Sequence, residues 1–390
     1  MSSNGGELPQ ELVFDILSRL PAKSLCRFKC VSKPWHSLIS DPYFAKTHLN
    51  NHRRERLIFM SYKSLYSVDC TEASSSSKPF PKCNLDLNQP PQDAVIATEI
   101  DFPPIEHHTD WFEILGSCDG LLLVVNEVDR FLLNPSTREF KKLPKCPPVF
   151  NSLCTFTMCG LGYDSSADDY KFVTVAWDTD TCVIVYSMKT GSWRSIQDVP
   201  YECSLVEDFL AETSWLVLAN GSLHWLTFRS SDGVSVIAAF DVADENFHDV
   251  PTPRSLENYV LGLCELGVFG GCLCLLIQFV STGNSNQTDV WVMKEYGVAE
   301  SWTKFTIDLP QERMMMRPLC FLVDGEVLLE TDGDKLVAFN VKDKTSRGIA
   351  VCGMPAAFTG RQTYVESLVS PSYKTGIKRK YEGSERLEEL

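Results

Sequence analysis

Residues 117–125 read SCDGLLLVV, and the same cadence returns as LANGSLHWL at 218–226, FGGCLCLLI at 269–277 and LVDGEVLLE at 322–330. Each begins with a tight-turn pair (Asp-Gly, Asn-Gly or Gly-Gly) and runs directly into strand-forming apolar residues. Such pairs supply the positive φ angles that a two-residue hairpin needs. A second half-unit alternates with the first: a strand, a polar turn, and an aromatic seven residues on. Leu133 leads to Phe140 in LNPSTREF, Tyr186 to Trp193 in YSMKTGSW, and Phe240 to Phe247 in FDVADENF. MKEYGVAESW, ending at Trp302, has a longer turn, and FNVKDKTSR, from Phe339, lacks the closing aromatic. The units recur about every 50 residues, in the range where repeats build propellers or solenoids. A four-stranded blade is apolar on both faces and must stack on neighbours. The aromatic after each turn is placed to fill the gap between blades. The end segments Leu57–Val68 and Thr363–Val369 are strand-like and suited to sharing one blade, which would close a ring. The pattern predicts a mainly-β domain built as a β-propeller of about six blades, with a β-sandwich as the alternative.

Upstream the period changes. Leu12, Val13, Ile16, Leu17 and Leu20 share one face at helical spacing, with Pro9 suited to the first turn and Pro21 ending the helix. Ser24 is placed to cap a second helix carrying Leu25, Phe28 and Val31. Ser32 is placed to cap a third, with Pro34, Trp35, Leu38 and Ile39, which Asp41-Pro42 stops. Three helices in about forty residues enclose little core, so their apolar faces need a partner or a neighbouring domain. The expected organisation is multidomain α+β. Residues 1–7 form a disordered N-terminus, 8–49 a three-helix module, and 56–371 the β domain with a disordered loop at 72–92. Residues 372–390 form a charged, disordered tail.

Composition excludes several classes of function. The chain is 44% hydrophobic and 22% charged, which supports a sizeable core. Its formal net charge of -15 argues against nucleic acid or an anionic membrane as the main partner. No CxxC pair occurs among the 15 cysteines, and His107-His108 have no partner at metal-ligand spacing. Neither metal nor cofactor is expected, and scattered thiols suit a reducing compartment, cytoplasmic or nuclear. The N-terminus lacks a signal-peptide pattern, and no apolar run is long enough to insert in a membrane. No G-x-S-x-G, phosphate-binding loop or HExxH is present, and Asp168-Asp169 lie in a polar turn, so an enzyme is not expected.

The segment LPQELVFDILSRLPAKSLCRFKCVSKPWHSLISDPYF (8–44) resembles the F-box of the large plant family. WFEILGSCDGLLLV (111–124), LNPSTREFKKLP (133–144), GLGYDSSADDYKFV (160–173) and TYVESLVSP (363–371) resemble that family's F-box-associated domain. The resemblance implies docking on a Skp-type adaptor, and through it on cullin and RING subunits. Leu8, Pro9, Leu12, Ile16, Leu17, Leu20, Pro21 and Leu25 would carry the contact, with Val31 and Trp35 behind them. Trp35 is equally suited to the core of the module itself. Arg19, Lys23, Arg27, Lys29 and Lys33 would suit an acidic adaptor surface, or serve as solvated charges.

The implied function is substrate recognition for a Skp–cullin–F-box ubiquitin ligase, with the β domain holding a protein target for ubiquitination. Loops at Cys203–Thr213, Ser281–Thr288 and Gln311–Arg317 are candidates for target contact by composition. A propeller that binds a glycan or small ligand is the alternative, with Trp111 or Trp177 lining its pocket. Asp86-Leu87-Asn88 with Pro91 matches a plant repression motif, and Lys378-Arg379-Lys380 form a basic cluster suited to nuclear import. Loop chemistry alone accounts for the first, and a solvated charged tail is the alternative for the second.

Overall fold

The computed structural model describes residues 8–61, 64–69, 95–100, 112–126, 129–147, 156–177, 180–202, 216–254, 264–279, 285–310, 316–322, 325–331, 335–353 and 359–372. The loop 72–92, the DLNQPP segment, His107-His108, Trp111 and the basic tail cluster lie outside them.

Four helices lead, one more than the sequence suggests. They are α1 (Gln10–Ser18), α2 (Ala22–Phe28), α3 (Lys33–Ile39) and α4 (Pro42–Asn51). The Asp41-Pro42 pair that ends α3 also starts α4. The Asp41 carboxylate accepts from the Tyr43 and Phe44 amides, and Pro42 stands in the first turn, where it needs no donor. A second correction concerns Ser24, which lies inside α2; the residue preceding that helix is Pro21. Ser32 does cap α3, accepting from the Trp35 amide at 3.3 Å.

The strands form six blades. Blade 1 joins Thr359–Val365 to Glu55–Ser61, Ser64–Asp69 and Thr98–Ile100. Blade 2 runs from Glu113–Cys118 to Glu139–Lys142, blade 3 from Phe156–Asp164 to Ser192–Ile196, and blade 4 from Tyr201–Glu202 and Val217–Ala219 to Phe247–Val250. Blade 5 runs from Cys264–Phe269 to Trp302–Pro310, and blade 6 from Met316–Phe321 to Thr345–Ile349. The innermost strand of each blade touches that of the next until blade 6 returns to blade 1. The ring closes as the end segments suggest: Leu57 pairs with Thr363, and Glu55 with Val365. A short parallel pair, Val351–Cys352 with Val95–Ile96, bridges blades 6 and 1.

The uninterrupted apolar runs now have a reason. In Leu121–Val124, Leu121 and Leu123 enter the core between blades 2 and 3, while Leu122 and Val124 enter the core between blades 1 and 2. Leu273, Leu275 and Ile277 likewise face blade 4, and Cys274 and Leu276 face blade 6. A strand buried on both faces shows no polar alternation. Each such side chain contributes about 1.5–3 kcal/mol on burial. The turn pairs behave as their composition demands. Asp119-Gly120 have φ of 52° and 83°, Asn220-Gly221 46° and 79°, and Gly270-Gly271 59° and 77°.

The closing aromatics divide. Trp193 packs on Phe172 and Tyr186, Phe247 on Tyr201 and Trp225, and Trp302 is 7% exposed. Phe140 departs from the pattern at 48% exposure, on the outermost strand of blade 2.

Candidate functional site

On α1 and the residues before it, Leu8, Leu12 and Ile16 are spaced i, i+4, i+8 and form one exposed stripe. They are 61%, 50% and 50% exposed, and Val31 is 61% exposed. Pro9 is also exposed. The other implied contact residues lie deeper. Leu17 and Leu25 are buried, and Leu20, Pro21 and Trp35 are half-buried. Trp35 packs on Phe28, with ring centroids 5.6 Å apart. The module thus divides into an exposed layer and a supporting layer: Leu17 and Leu25 hold α1 and α2 in place and leave the surface to the stripe. Tyr43 adds a further exposed ring, 6.0 Å from Phe14. Its helix went unrecognised in the sequence, and no periodicity there would have singled it out.

The supporting layer continues into the propeller. Leu17, Ala22, Leu25, Ile39, Phe44 and Leu49 share one core with Leu121, Leu123, Leu161 and Phe172 at the seam between blades 2 and 3. Polar contacts frame it. The Cys26 thiol lies 3.6 Å from the Ser136 carbonyl oxygen, and Lys29 is 3.8 Å from Glu139, so Lys29 serves the seam. Lys46 of α4 reaches Asp119 at 2.5 Å and Tyr170 Oη at 2.6 Å.

Asn134, in the LNPSTREF turn, is fully buried. Its amide donates to the Val369 carbonyl at 2.7 Å and the Ser367 carbonyl at 3.1 Å, while its Oδ1 accepts from the Ser136 and Thr137 amides. The segment after the last strand is thereby tied to blade 2, where Leu368 and Val369 join the shared core.

Antiparallel alternation puts the 119–120, 220–221 and 270–271 turns at the end that carries the helices. The strand ends flanking 203–215, 255–263, 281–284 and 311–315 lie at the other end. Of the loops expected to meet a target, Cys203–Thr213, 281–284 and 311–315 fall outside the described residues. Residues 285–288 and 316–317 belong to strands. Trp177 is half-buried against the core between blades 3 and 4. A cavity of about 250 Å³ runs along the axis, lined by Glu55, Ser117, Asp119, Glu265 and Thr363 of the innermost strands and their neighbours. Among the described residues no group of three or more His, Cys, Asp or Glu is arranged to hold a metal, and the eleven cysteines are all free thiols. No helix among them is long and apolar enough to cross a membrane.

The Asp168-Asp169 pair does turn work. Asp169 accepts from the Lys189 amide at 2.8 Å and the Ser187 hydroxyl at 2.5 Å, and Asp168 accepts from Tyr163 Oη at 2.5 Å. Two titratable groups elsewhere in the propeller are shifted by their surroundings. His224 is buried, with Nδ1 3.0 Å from the Val217 carbonyl and Nε2 2.7 Å from Tyr296 Oη. Burial lowers its pKa to about 4. Burial alone would raise Asp164, but hydrogen bonds from Lys171, Ser166 and the Ala167 amide hold it at about 2.

A four-helix module seated on a six-bladed ring defines a two-part chain. The F-box domain family matches residues 6–47, and the family described as F-box associated beta propeller domain matches residues 57–371. The chain belongs to this family of F-box proteins with an F-box-associated propeller. F-box protein CPR1 of Arabidopsis thaliana is 33% identical over 393 residues, covering 93% of this chain and 88% of that protein. An F-box/kelch-repeat protein of the same plant is 29% identical over 376 residues, covering 94% and 96%. Among solved structures, a chain from the nidogen/laminin complex aligns over 80% of this chain and 99% of its own, with a TM-score of 0.42 and 10% identity.

Proposed function

We propose that this chain is the substrate-recognition subunit of a Skp–cullin–F-box ubiquitin ligase. The observation that carries the reading is the exposed stripe of Leu8, Leu12 and Ile16, with Val31 also exposed, on a module whose buried apolar residues pack into the core shared with the propeller. Completing the burial of four side chains already about half covered contributes about 3–6 kcal/mol, so the stripe anchors an interface that neighbouring surface extends. Lys23, Arg27 and Lys33 are exposed on the same module while Arg19 pairs with Asp15, and their positive charge speeds encounter with an acidic adaptor.

In this role the chain catalyses by position. A target lysine attacks the thioester of the ubiquitin carrier, an isopeptide bond forms, and the carrier thiol leaves. Those reacting groups belong to other molecules, and the propeller holds the target within their reach. The target binds the end of the ring away from the helices, leaving the helical end to the ligase. The reading places the protein in the cytoplasm or nucleus, where cullin ligases act.

The test is reconstitution with Skp-type adaptor, cullin and RING subunits. The reading predicts one complex containing all four components, with ubiquitin transfer that depends on this chain. A well-folded chain that never enters the complex would overturn it.

A further inference from the structure

At the seam between the F-box and the propeller the half-buried Lys46 ammonium meets three partners at once. Lys46 Nζ lies 2.5 Å from Asp119 Oδ2, 2.6 Å from Tyr170 Oη and 3.3 Å from the centroid of the Tyr163 ring. The partners come from two blades. Asp119 stands in the tight turn of blade 2, and Tyr163 and Tyr170 lie on the two strands that flank the 165–168 turn of blade 3. They are fixed in turn. Tyr170 donates to Asp119 at 2.8 Å, Tyr163 donates to Asp168 at 2.5 Å, and the two rings are 4.9 Å apart. Burial first, then Asp119, pushes the Tyr170 phenol well above its usual range, so it stays a neutral partner and Asp119 carries the counter-charge.

The apolar core beneath these contacts joins the modules without choosing an angle, because hydrophobic contact is non-directional. Charge-assisted hydrogen bonds and a cation over a ring face are directional. Lys46 is held from a turn, a phenol and a ring face at once, so rocking or rotation of the helical module breaks at least one contact. The choice of residue at the turn points the same way. Asp119 occupies a left-handed position that Asn220 fills in blade 4 and Gly270 in blade 5. Asp, Asn and Gly all accept that conformation, and only Asp brings a charge to meet the cation.

We propose that Lys46 is a positioning residue of the ligase: it locks the F-box at one angle to the propeller and so narrows which lysines come within reach of the ubiquitin carrier. This rests on the ligase reading above. In the reconstituted ligase, the lysines of this chain that receive ubiquitin report the geometry without any knowledge of the target. Lys46→Met keeps the stem and removes the charge; Lys46→Arg keeps the charge. The expected result is adaptor affinity within about twofold for both variants. In Lys46→Met, modification spreads to about twice as many lysines, and Lys46→Arg keeps most of the wild-type pattern. Should Lys46→Met fail to fold, Asp119→Asn, which keeps the turn and removes the counter-charge, is read the same way. An unchanged pattern in an adaptor-bound charge-removing variant overturns the lock. If the wild type binds no adaptor, the ligase reading fails instead, and the lock is then read on the chain alone by hydrogen exchange. Amides of α4 exchanging about tenfold faster in Lys46→Met support it, and unchanged exchange overturns it.

Discussion

Replacing Asn134 with alanine should be among the most damaging single changes to a polar residue in the protein. The side chain is fully buried and satisfies four backbone groups at once: the carbonyls of Ser367 and Val369, and the amides of Ser136 and Thr137. Alanine leaves the two carbonyls without their donor inside a dry seam, at about 1–3 kcal/mol each. The two turn amides are only part-buried and recover water, so they add little. The loss summed over the two carbonyls is about 2–6 kcal/mol. Asn340 is the internal control. It makes the same turn contacts, accepting from the Lys342 and Asp343 amides at 3.0 Å, but at a half-buried corner of blade 6. Asn340→Ala should cost about 1 kcal/mol or less. Urea unfolding at fixed pH measures both through the midpoint and slope. Because Leu368 and Val369 share the core that seats the helices, Asn134→Ala should also loosen that seat, with faster amide exchange in α2 and α4. Equal, small losses for the two variants would refute the argument that Asn134 ties the closing segment to blade 2.

Other consequences follow from the same geometry. Gly120→Ala should destabilise by more than about 2 kcal/mol, because a Cβ would sit 2.5 Å from the Val365 carbonyl oxygen at a φ of 83°. Gly271→Ala, with a φ of 77° and open space around it, should cost only about 1 kcal/mol in the same urea assay. Acid should weaken the fold in two stages. An unfolded His224 takes its proton near 6.5 and the folded one only at about 4, so stability falls by about 3 kcal/mol as pH drops through that window. His48, whose pKa burial also lowers, acts in the same direction. Asp164 acts at lower pH: its contribution of about 2 kcal/mol is complete above 3.8 and lost as pH falls towards 2. A His224→Gln variant that unfolds with the wild-type pH slope between 6.5 and 4 would contradict the first stage.

Much of this architecture is visible in the chain. The turn pairs at 119–120, 220–221 and 270–271 are legible because left-handed backbone admits few residue types, and the doubly apolar runs after them betray strands buried on both faces. The fourth helix was not legible. Asp-Pro carries the same letters whether it stops one helix or starts the next, and the deciding fact is whether Phe44 and Leu49 find a core to enter. Periodicity likewise groups Leu12 and Ile16 with Leu17 on one face of α1, and the resemblance adds Leu25 of α2. Only the propeller's presence beneath α1 and α2 sorts them into a surface and a support. Phe140 repeats the spacing of Trp193 and Phe247 yet stays half-exposed, and its exposure is a tertiary fact that no local pattern records. Lys46 falls in the helix that went unrecognised, and its partners lie 73 and 124 residues further along the chain.

The central claim is that the exposed stripe is the adaptor contact and the buried leucines are its scaffold. Titration of a Skp-type adaptor into wild-type chain and into a Leu12→Ala, Ile16→Ala variant tests it most directly. The account predicts a one-to-one complex for the wild type. In the variant, affinity falls about 100-fold while urea stability changes by less than about 1 kcal/mol, because the truncated side chains are already half in solvent. Wild-type affinity in the stripe variant, with both chains folded, would contradict the account and leave the four helices as a cap on the propeller.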